Sequence, residues 1–261
     1  MITLYDHPLS PYAQKVRIAL REKQLAFRLA LPGGLGAGGA AGEFAEANPR
    51  AEVPTLIDEA ARVFDSTIIL EYLEDAHPSP ALLPSGAVDR ARVRMIEDVM
   101  DTHYEAINWA MGEINWFRRA EGALADALKA KAAEQTAGFM SWLGAQLGSR
   151  TWFNGETFGW GDLAVAPFVA ASAGMGMGPP RGGALSAWLE RALARPSVGE
   201  TVAEARNFNT EGSGVAEAVA AGLFKREYRD HRLEWMMKSG GVEIVLKGIQ
   251  AGNIRFSPDF Q

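Results

Sequence analysis

The stretch that decides the fold lies between Asn48 and Asp75: NPRAEVPTLID (48–58), Glu59-Ala60, ARVF (61–64) and DSTIILEYLED (65–75). Residues 53–58 and 61–64 are two short apolar runs separated by Glu59-Ala60, which reads as a β-hairpin. Asp65-Ser66 then places capping side chains directly before Ile68, Ile69, Tyr72 and Leu73, which recur at helical spacing, so a helix starts here. Working back toward the N-terminus, residues 2–5 read as a strand that Pro8-Leu9-Ser10-Pro11 ends. Ser10 before Pro11 is an N-cap followed by proline at the first helical position, and Val16, Ala19 and Leu20 continue that helix. Residues 26–31 alternate as a second strand. With a helix between them, the two strands are expected to be parallel neighbours joined by a right-handed crossover. Working forward, the proline-rich segment 77–86 closes this first half. Helices are predicted over 88–119, 123–147, 162–173 and 184–194, so a segregated α domain follows a β-containing one.

The 261 residues are 48% hydrophobic and 22% charged, an ordinary globular balance. The formal net charge of −6 gives no general attraction for a phosphate backbone, so nucleic acid is not an expected partner. The absence of cysteine excludes disulfides, thiolate metal sites and a cysteine nucleophile, and agrees with a cytoplasmic setting. The first residues lack the pattern of a signal peptide, and no apolar run is long enough to cross a bilayer. Residues 32–42 form a glycine-rich loop without the Gly-Lys-Ser/Thr ending of a phosphate cradle, so a surface loop is expected.

Five segments in this order resemble the glutathione transferase superfamily. TLYDHPLSPYAQKVRIALREK (3–23) is similar to the start of its serine-type members, and ANPRAEVPTL (47–56) to the stretch that places a cis-proline. DSTIILEYLEDAHP (65–78) is similar to the element that binds the γ-glutamyl end of glutathione. GETFGWGDLAVAPFV (155–169) and LSAWLERALARPSVGET (185–201) resemble later helices of the family. The resemblance implies a thioredoxin-like glutathione-binding domain over residues 1–79 and a helical domain with an electrophile pocket over 87–205. Residues 206–261 form a helical C-terminal extension. It further implies a cytoplasmic homodimer active in detoxification, with glutathione as co-substrate, a small apolar electrophile, no metal and no membrane partner.

The chemistry such a protein performs is thiolate formation. A free thiol of pKa about 8.5 is mostly protonated at neutral pH, and lowering that value by about 2 units requires roughly 2.7 kcal/mol of preferential thiolate binding. A hydroxyl at a helix N-terminus supplies this. By resemblance Ser10 is that donor, with Tyr5 and Tyr12 as alternatives; from its residues alone Ser10 is equally a plain N-cap. The resemblance makes Pro54 the cis-proline and gives Val53 the backbone groups that pair with the cysteinyl part of glutathione. Asp65 and Ser66 then take its γ-glutamyl ammonium and carboxylate. Glu52 stands where many members carry Lys or Gln. It faces the glycyl carboxylate unless it points away, and Arg50 is the available compensation. Gly159 stands where the family has a hydroxyl cap, with Asp162 retained in a folding role.

In the extension, residues 215–238 (VAEAVAAGLFKREYRDHRLEWMMK) read as one amphipathic helix and VEIVLKGIQ (242–250) as another. They are expected to pack on the α domain, to cover the mouth of the site, or to widen a dimer contact. His231 and Glu234 have metal-compatible spacing without further ligands, so a solvated helix face is expected. Of Tyr104, Trp109, Met111, Trp116 and Phe117, one or two are expected to line the pocket. The alternative function is a non-catalytic binding or interaction protein that kept the fold.

Overall fold

The computed structural model describes residues 1–34, 36, 42–208 and 214–256. The first half is a four-stranded sheet of order β2-β1-β3-β4, built from β1 (Ile2–Tyr5), β2 (Phe27–Ala30), β3 (Thr55–Asp58) and β4 (Ala61–Phe64). β1 and β2 run parallel, as the crossover through α1 (Pro11–Glu22) requires, with Leu4 opposite Leu29. β3 is antiparallel to both neighbours, pairing Leu56 with Leu4 and with Val63. The expected hairpin is therefore present, and Glu59, at φ 50°, turns it. A short helix, α2 (Glu43–Ala47), which the sequence pattern did not suggest, precedes it. α3 (Ser66–Ala76) follows, and its Ile69, Leu70 and Leu73 join Leu4, Val16, Leu20 and Leu56 in the core.

The second half is helical. The long helix expected over 88–119 is divided into α4 (Ala87–Val99), a π-helical turn (Met100–Tyr104) and α5 (Glu105–Asn115). The physical cause lies on α1. The Tyr12 hydroxyl donates to the Asp101 carbonyl at 2.8 Å, and Lys15 Nζ bridges Glu97 (2.7 Å) and Asp101 (2.5 Å) across the same turn. An outside donor on a ladder carbonyl favours the extra residue of a π turn. α6 (Gly122–Leu147), α7 (Trp160–Gly174), α8 (Ala184–Leu193) and α9 (Pro196–Asn207) complete this half.

At the start of α7 the missing hydroxyl cap is replaced from a distance. Asn154 Oδ1 accepts from Gly161 N at 3.3 Å while its Nδ2 donates to Leu82 O at 2.9 Å. That amide fills the space beside Gly159, where a Cβ would lie 2.2 Å from Asn154 Nδ2 and 2.3 Å from Leu82 O, so only glycine fits. Asp162 is fully buried and accepts from Phe153 N (2.8 Å), Gly159 N (3.1 Å) and Trp188 Nε1 (2.8 Å). It ties α7 to α8 and the preceding loop.

The extension corrects the single-helix expectation for 215–238. α10 (Val215–Ala220) ends at Gly222, whose φ is +73°. The chain then extends as β5 (Arg226–Glu227) before α11 (Asp230–Ser239). β5 pairs in parallel with β6 (Ile254–Arg255), which follows α12 (Val242–Gln250), the second expected helix. Tyr228, Trp235, Met236 and Ile244 from this segment share an apolar core with Ile107, Ala110 and Ile114 of α5. Most of the glycine-rich loop lies outside the described residues. Gly36, which belongs to it, accepts from Lys225 N at 2.7 Å. No helix among the described residues is long and apolar enough to cross a membrane.

Candidate functional site

Two cavities lie side by side where the sheet-bearing half, the helical half and the extension meet. The first, about 510 Å³, is polar and has Pro54, Asp65, Ser66 and Arg50 in its wall. The second, about 500 Å³, is largely apolar and has Ser10, Trp109, Trp116, Phe117, Met175 and Phe208 in its wall. Tyr12, Glu52, Val53 and Arg229 border both.

The structure thus divides the sequence-predicted site residues between two connected spaces. Ser10 caps α1, its Oγ accepting from Ala13 N at 3.3 Å. That bond uses an acceptor lone pair and leaves the hydroxyl proton free to donate. The Val53–Pro54 bond is cis. Among the described residues the backbone N–H and C=O of Val53 have no hydrogen-bond partner. Asp65 sits at φ 75°, a conformation that side-chain-bearing residues rarely adopt, and its Oδ1 accepts from Thr67 N at 3.0 Å. Oδ2 stays free of the cap, 3.7 Å from Arg50 Nη1. Ser66 is buried at the first turn of α3, in the wall of the polar cavity.

The tyrosine alternatives are placed differently. Tyr5 points away, donating to Glu43 Oε2 at 3.3 Å. Tyr12 borders both cavities, but its hydroxyl is committed to the Asp101 carbonyl, and burial followed by the charge of Glu105 pushes its ionisation well above the usual phenol range.

Glu52 neither points into solvent nor stands unpaired. Its Oε2 accepts from Arg50 Nη2 (2.7 Å) and Arg229 Nη1 (3.2 Å). Its Oε1 and Glu227 Oε1 are both sealed from solvent without a partner among the described residues, an arrangement that one proton held between the two carboxyls satisfies. Burial, that hydrogen bond and the Glu227 charge push Glu52 up to about 7, against the pull of Arg229 and Arg50. For Glu227 burial acts upward too, but the hydrogen bond from Glu52 and the charges of Arg255, Arg232 and Arg229 hold it below the usual carboxylate range. Arg255 Nη2 donates to Glu227 at 3.0 Å.

The expectation that the extension covers the mouth of the site named none of its side chains there. Residues 225–232 (KREYRDHR) form the wall between the cavities, and four cations in eight residues were the available signal. The expected solvated face at His231 is overturned: its Nε2 lies 2.8 Å from Glu105 Oε2 and 3.4 Å from the Tyr12 hydroxyl. Arg232 makes a bidentate pair with Glu105, at 3.0 and 2.7 Å. Glu105 is held at about 2: burial acts upward, but Arg232 and His231 outweigh it. Among the described residues no group of three or more His, Asp or Glu is arranged to hold a metal ion. Three of the five aromatic and methionine candidates line the apolar cavity, namely Trp109, Trp116 and Phe117, against the one or two expected. Tyr104 is instead buried and donates to Ser172 Oγ at 2.8 Å.

A four-stranded sheet with a cis-proline at the entrance to its third strand, followed by an all-helical half, defines a thioredoxin-like domain joined to a helical one. Comparison with known proteins places it further. The family described as "Glutathione S-transferase, N-terminal domain" matches residues 4–81. The chain is 30% identical over 177 residues to a probable glutathione S-transferase GSTU1 of Oryza sativa subsp. japonica, covering 65% of this chain and 73% of that one. It is 38% identical over 96 residues to a stringent starvation protein A homolog of Coxiella burnetii, covering 37% of this chain and 44% of that relative. The crystal structure of rice GST1 in complex with glutathione superposes with a TM-score of 0.66 at 27% identity, covering 83% of this chain and 97% of that one. The chain belongs to the glutathione transferase superfamily.

Proposed function

We propose that this protein is a glutathione-dependent transferase that adds the thiol of glutathione to an apolar electrophile. The observation that carries this is the free backbone pair of Val53, placed where the polar and apolar cavities meet. A tripeptide paired along Val53 as an added strand has its γ-glutamyl end among Asp65 and Ser66 and its thiol toward the cavity of Ser10. Asp65 Oδ2 then accepts from the γ-glutamyl ammonium. The Ser66 hydroxyl and the first N–H groups of α3 hold its carboxylate. Ser10 donates its free proton to the sulfur and holds it as thiolate, assisted by the positive end of α1. Trp109, Trp116 and Phe117 keep water from the second substrate. In this assignment residues 1–79 bind the peptide and residues 87–205 carry the pocket for the electrophile. The described residues of the 206–261 extension wall that pocket, and the working unit is a cytoplasmic homodimer.

Glutathione titration by calorimetry tests this. Binding in the micromolar to low-millimolar range, weakened by Asp65→Asn, supports it; no heat at millimolar glutathione refutes it. One observation favours a second reading, a binding module without turnover. Glu52, Arg50 and Arg229 already satisfy one another at the mouth of the polar cavity, and the chain also resembles stringent starvation protein A. Saturable glutathione binding without turnover of any electrophile would favour that reading.

A further inference from the structure

The wall of the apolar cavity carries hydrogen-bond donors that have no acceptor among the described residues. Arg226 of β5 projects into it. Its Nε pairs with the buried Glu113, while among the described residues its two terminal nitrogens have no acceptor. Glu113 is already supplied: Arg119 Nε lies 3.3 Å from its Oε2, and the Tyr228 hydroxyl donates to that oxygen at 3.1 Å. Two guanidiniums on one carboxylate leave a positive surplus at Arg226.

The Arg226 guanidinium lies 3.8 Å from the Phe117 ring centroid and 5.6 Å from that of Trp109, so it is held over aromatic surface. Trp109 Nε1, buried in the same wall, has no acceptor either. His7 lines the cavity beside Ser10. Its Nδ1 accepts from Leu9 N at 3.2 Å, which assigns the ring proton to Nε2. Burial, and then the charges of Arg226 and Arg17, hold this ring below the usual imidazole range.

The wider charge balance agrees. Lys225, Arg226, Arg229, Arg232 and Arg255 line this cavity against the carboxylates of Glu52, Glu105 and Glu227. A cationic, low-dielectric cavity in a chain of net charge −6 concentrates anions locally. The carboxylates have their own partners: Glu52 with Arg229, Glu105 with Arg232 and Glu227 with Arg255. The surplus is therefore centred on Lys225 and Arg226.

We infer that Arg226, together with Trp109 Nε1 and His7 Nε2 of the same cavity wall, forms an anion-binding subsite in the apolar cavity. The preferred second substrate is accordingly an aromatic compound carrying a carboxylate or sulfonate. The substrate assignment rests on the transferase function proposed above, but the subsite itself does not.

The test measures equilibrium binding to the full-length protein of two probes that differ by one sulfonate: 8-anilinonaphthalene-1-sulfonate and neutral N-phenyl-1-naphthylamine. A guanidinium–sulfonate contact in such a cavity predicts about a tenfold or greater preference for the sulfonate. Arg226→Met should remove most of that preference and leave the neutral probe's affinity unchanged. Lys225→Met, which leaves the Glu113 pair intact, should reduce it about threefold. Equal affinities in the wild-type protein overturn the inference, as does an Arg226→Met variant that weakens both probes equally. If Arg226→Met does not fold, the wild-type comparison and Lys225→Met decide. Displacement of the sulfonate by saturating S-methylglutathione would overturn the assignment to the second substrate, since the anion would then be the peptide's own. Turnover of 4-chloro-3,5-dinitrobenzoate against 1-chloro-2,4-dinitrobenzene separates the two proposals. Probe discrimination without turnover of either sinks the transferase and leaves the subsite. Turnover without discrimination sinks the subsite alone.

Discussion

Replacing Glu52 by glutamine is expected to remove a pH-dependent weakness in the seating of residues 214–256. The shared proton between Glu52 and Glu227 joins the loop before β3 to β5 of the extension. Glu52 binds its proton more tightly folded than unfolded, its value rising from 4.5 to about 7. Its contribution is therefore full below about pH 4.5 and is lost as pH rises through about 7. A change of that size corresponds to about 3 kcal/mol. Glu227 moves the opposite way, and its own contribution is already gained as pH rises to about 4.5, so about 2–3 kcal/mol is expected to disappear between pH 4.5 and 8. Glutamine at position 52 offers Glu227 a permanent amide donor of the same shape. The variant should match the wild-type protein near pH 4.5 and exceed it at pH 8, by about 4–12 °C in Tm for a chain of this size. Asp101 at about 7 and Asp162 at about 6 lose stability in an overlapping window. For that reason the measured quantity is the difference between the two proteins at each pH, from thermal denaturation. A difference that stays constant from pH 4.5 to 8 would refute the shared proton.

Ser10→Ala should leave glutathione affinity within about threefold while raising the bound thiol toward its free value near 8.5, read from thiolate absorbance against pH. Asp65→Asn keeps the cap and the left-handed backbone but removes the charge, and should weaken glutathione binding about tenfold or more by calorimetry. Gly36→Val would put a Cβ 2.3 Å from the Phe224 ring at a position of φ +77°, so limited proteolysis should cut within 214–256 faster than in the wild-type protein. Restoring the family's hydroxyl cap by Gly159→Ser should destabilise the protein by about 1–3 kcal/mol in denaturant titration, because Asn154 and the Leu82 carbonyl occupy the space. Gly159→Ser combined with Asn154→Gly should recover little of that loss, because the Leu82 carbonyl still blocks the added Cβ and the two Asn154 hydrogen bonds are gone.

How much of the molecule was legible in its sequence follows the range of the interactions that decide each part. Ser10-Pro11, the hairpin at 55–64 and the Asp65-Ser66 cap are set by neighbours a few residues away, and each formed where its residues indicated. β5 is different. Residues 224–229 alternate no more convincingly than they repeat at helical spacing, and a two-residue strand has no period to detect. What extends them is pairing to Ile254–Arg255 and the pull of Glu113 and Glu105, more than a hundred positions back. Those two glutamates read as the polar face of a long helix, yet each has an exposure of only a few per cent or less because an arginine of the extension covers it.

Glu52 has the same explanation. Taken with its sequence neighbours it is a carboxylate in the path of an anionic peptide. Taken with Arg229 and Glu227 it is a partly neutralised group that anchors the wall between two cavities. A departure from a family's pattern at a binding position is therefore weak evidence for lost binding when the same chain carries an unfamiliar segment rich in the opposite charge. Here the acidic substitution at position 52 and the basic run at 225–232 belong together, and exchanging either alone leaves the other's charge unmatched. Glu52→Lys, a change toward the family's usual residue, accordingly sets a third cation beside Arg50 and Arg229 and removes the proton link to Glu227. Its expected effect is a destabilised extension, seen as faster proteolysis within 214–256. Improved glutathione binding with the extension intact would show that the two features are independent.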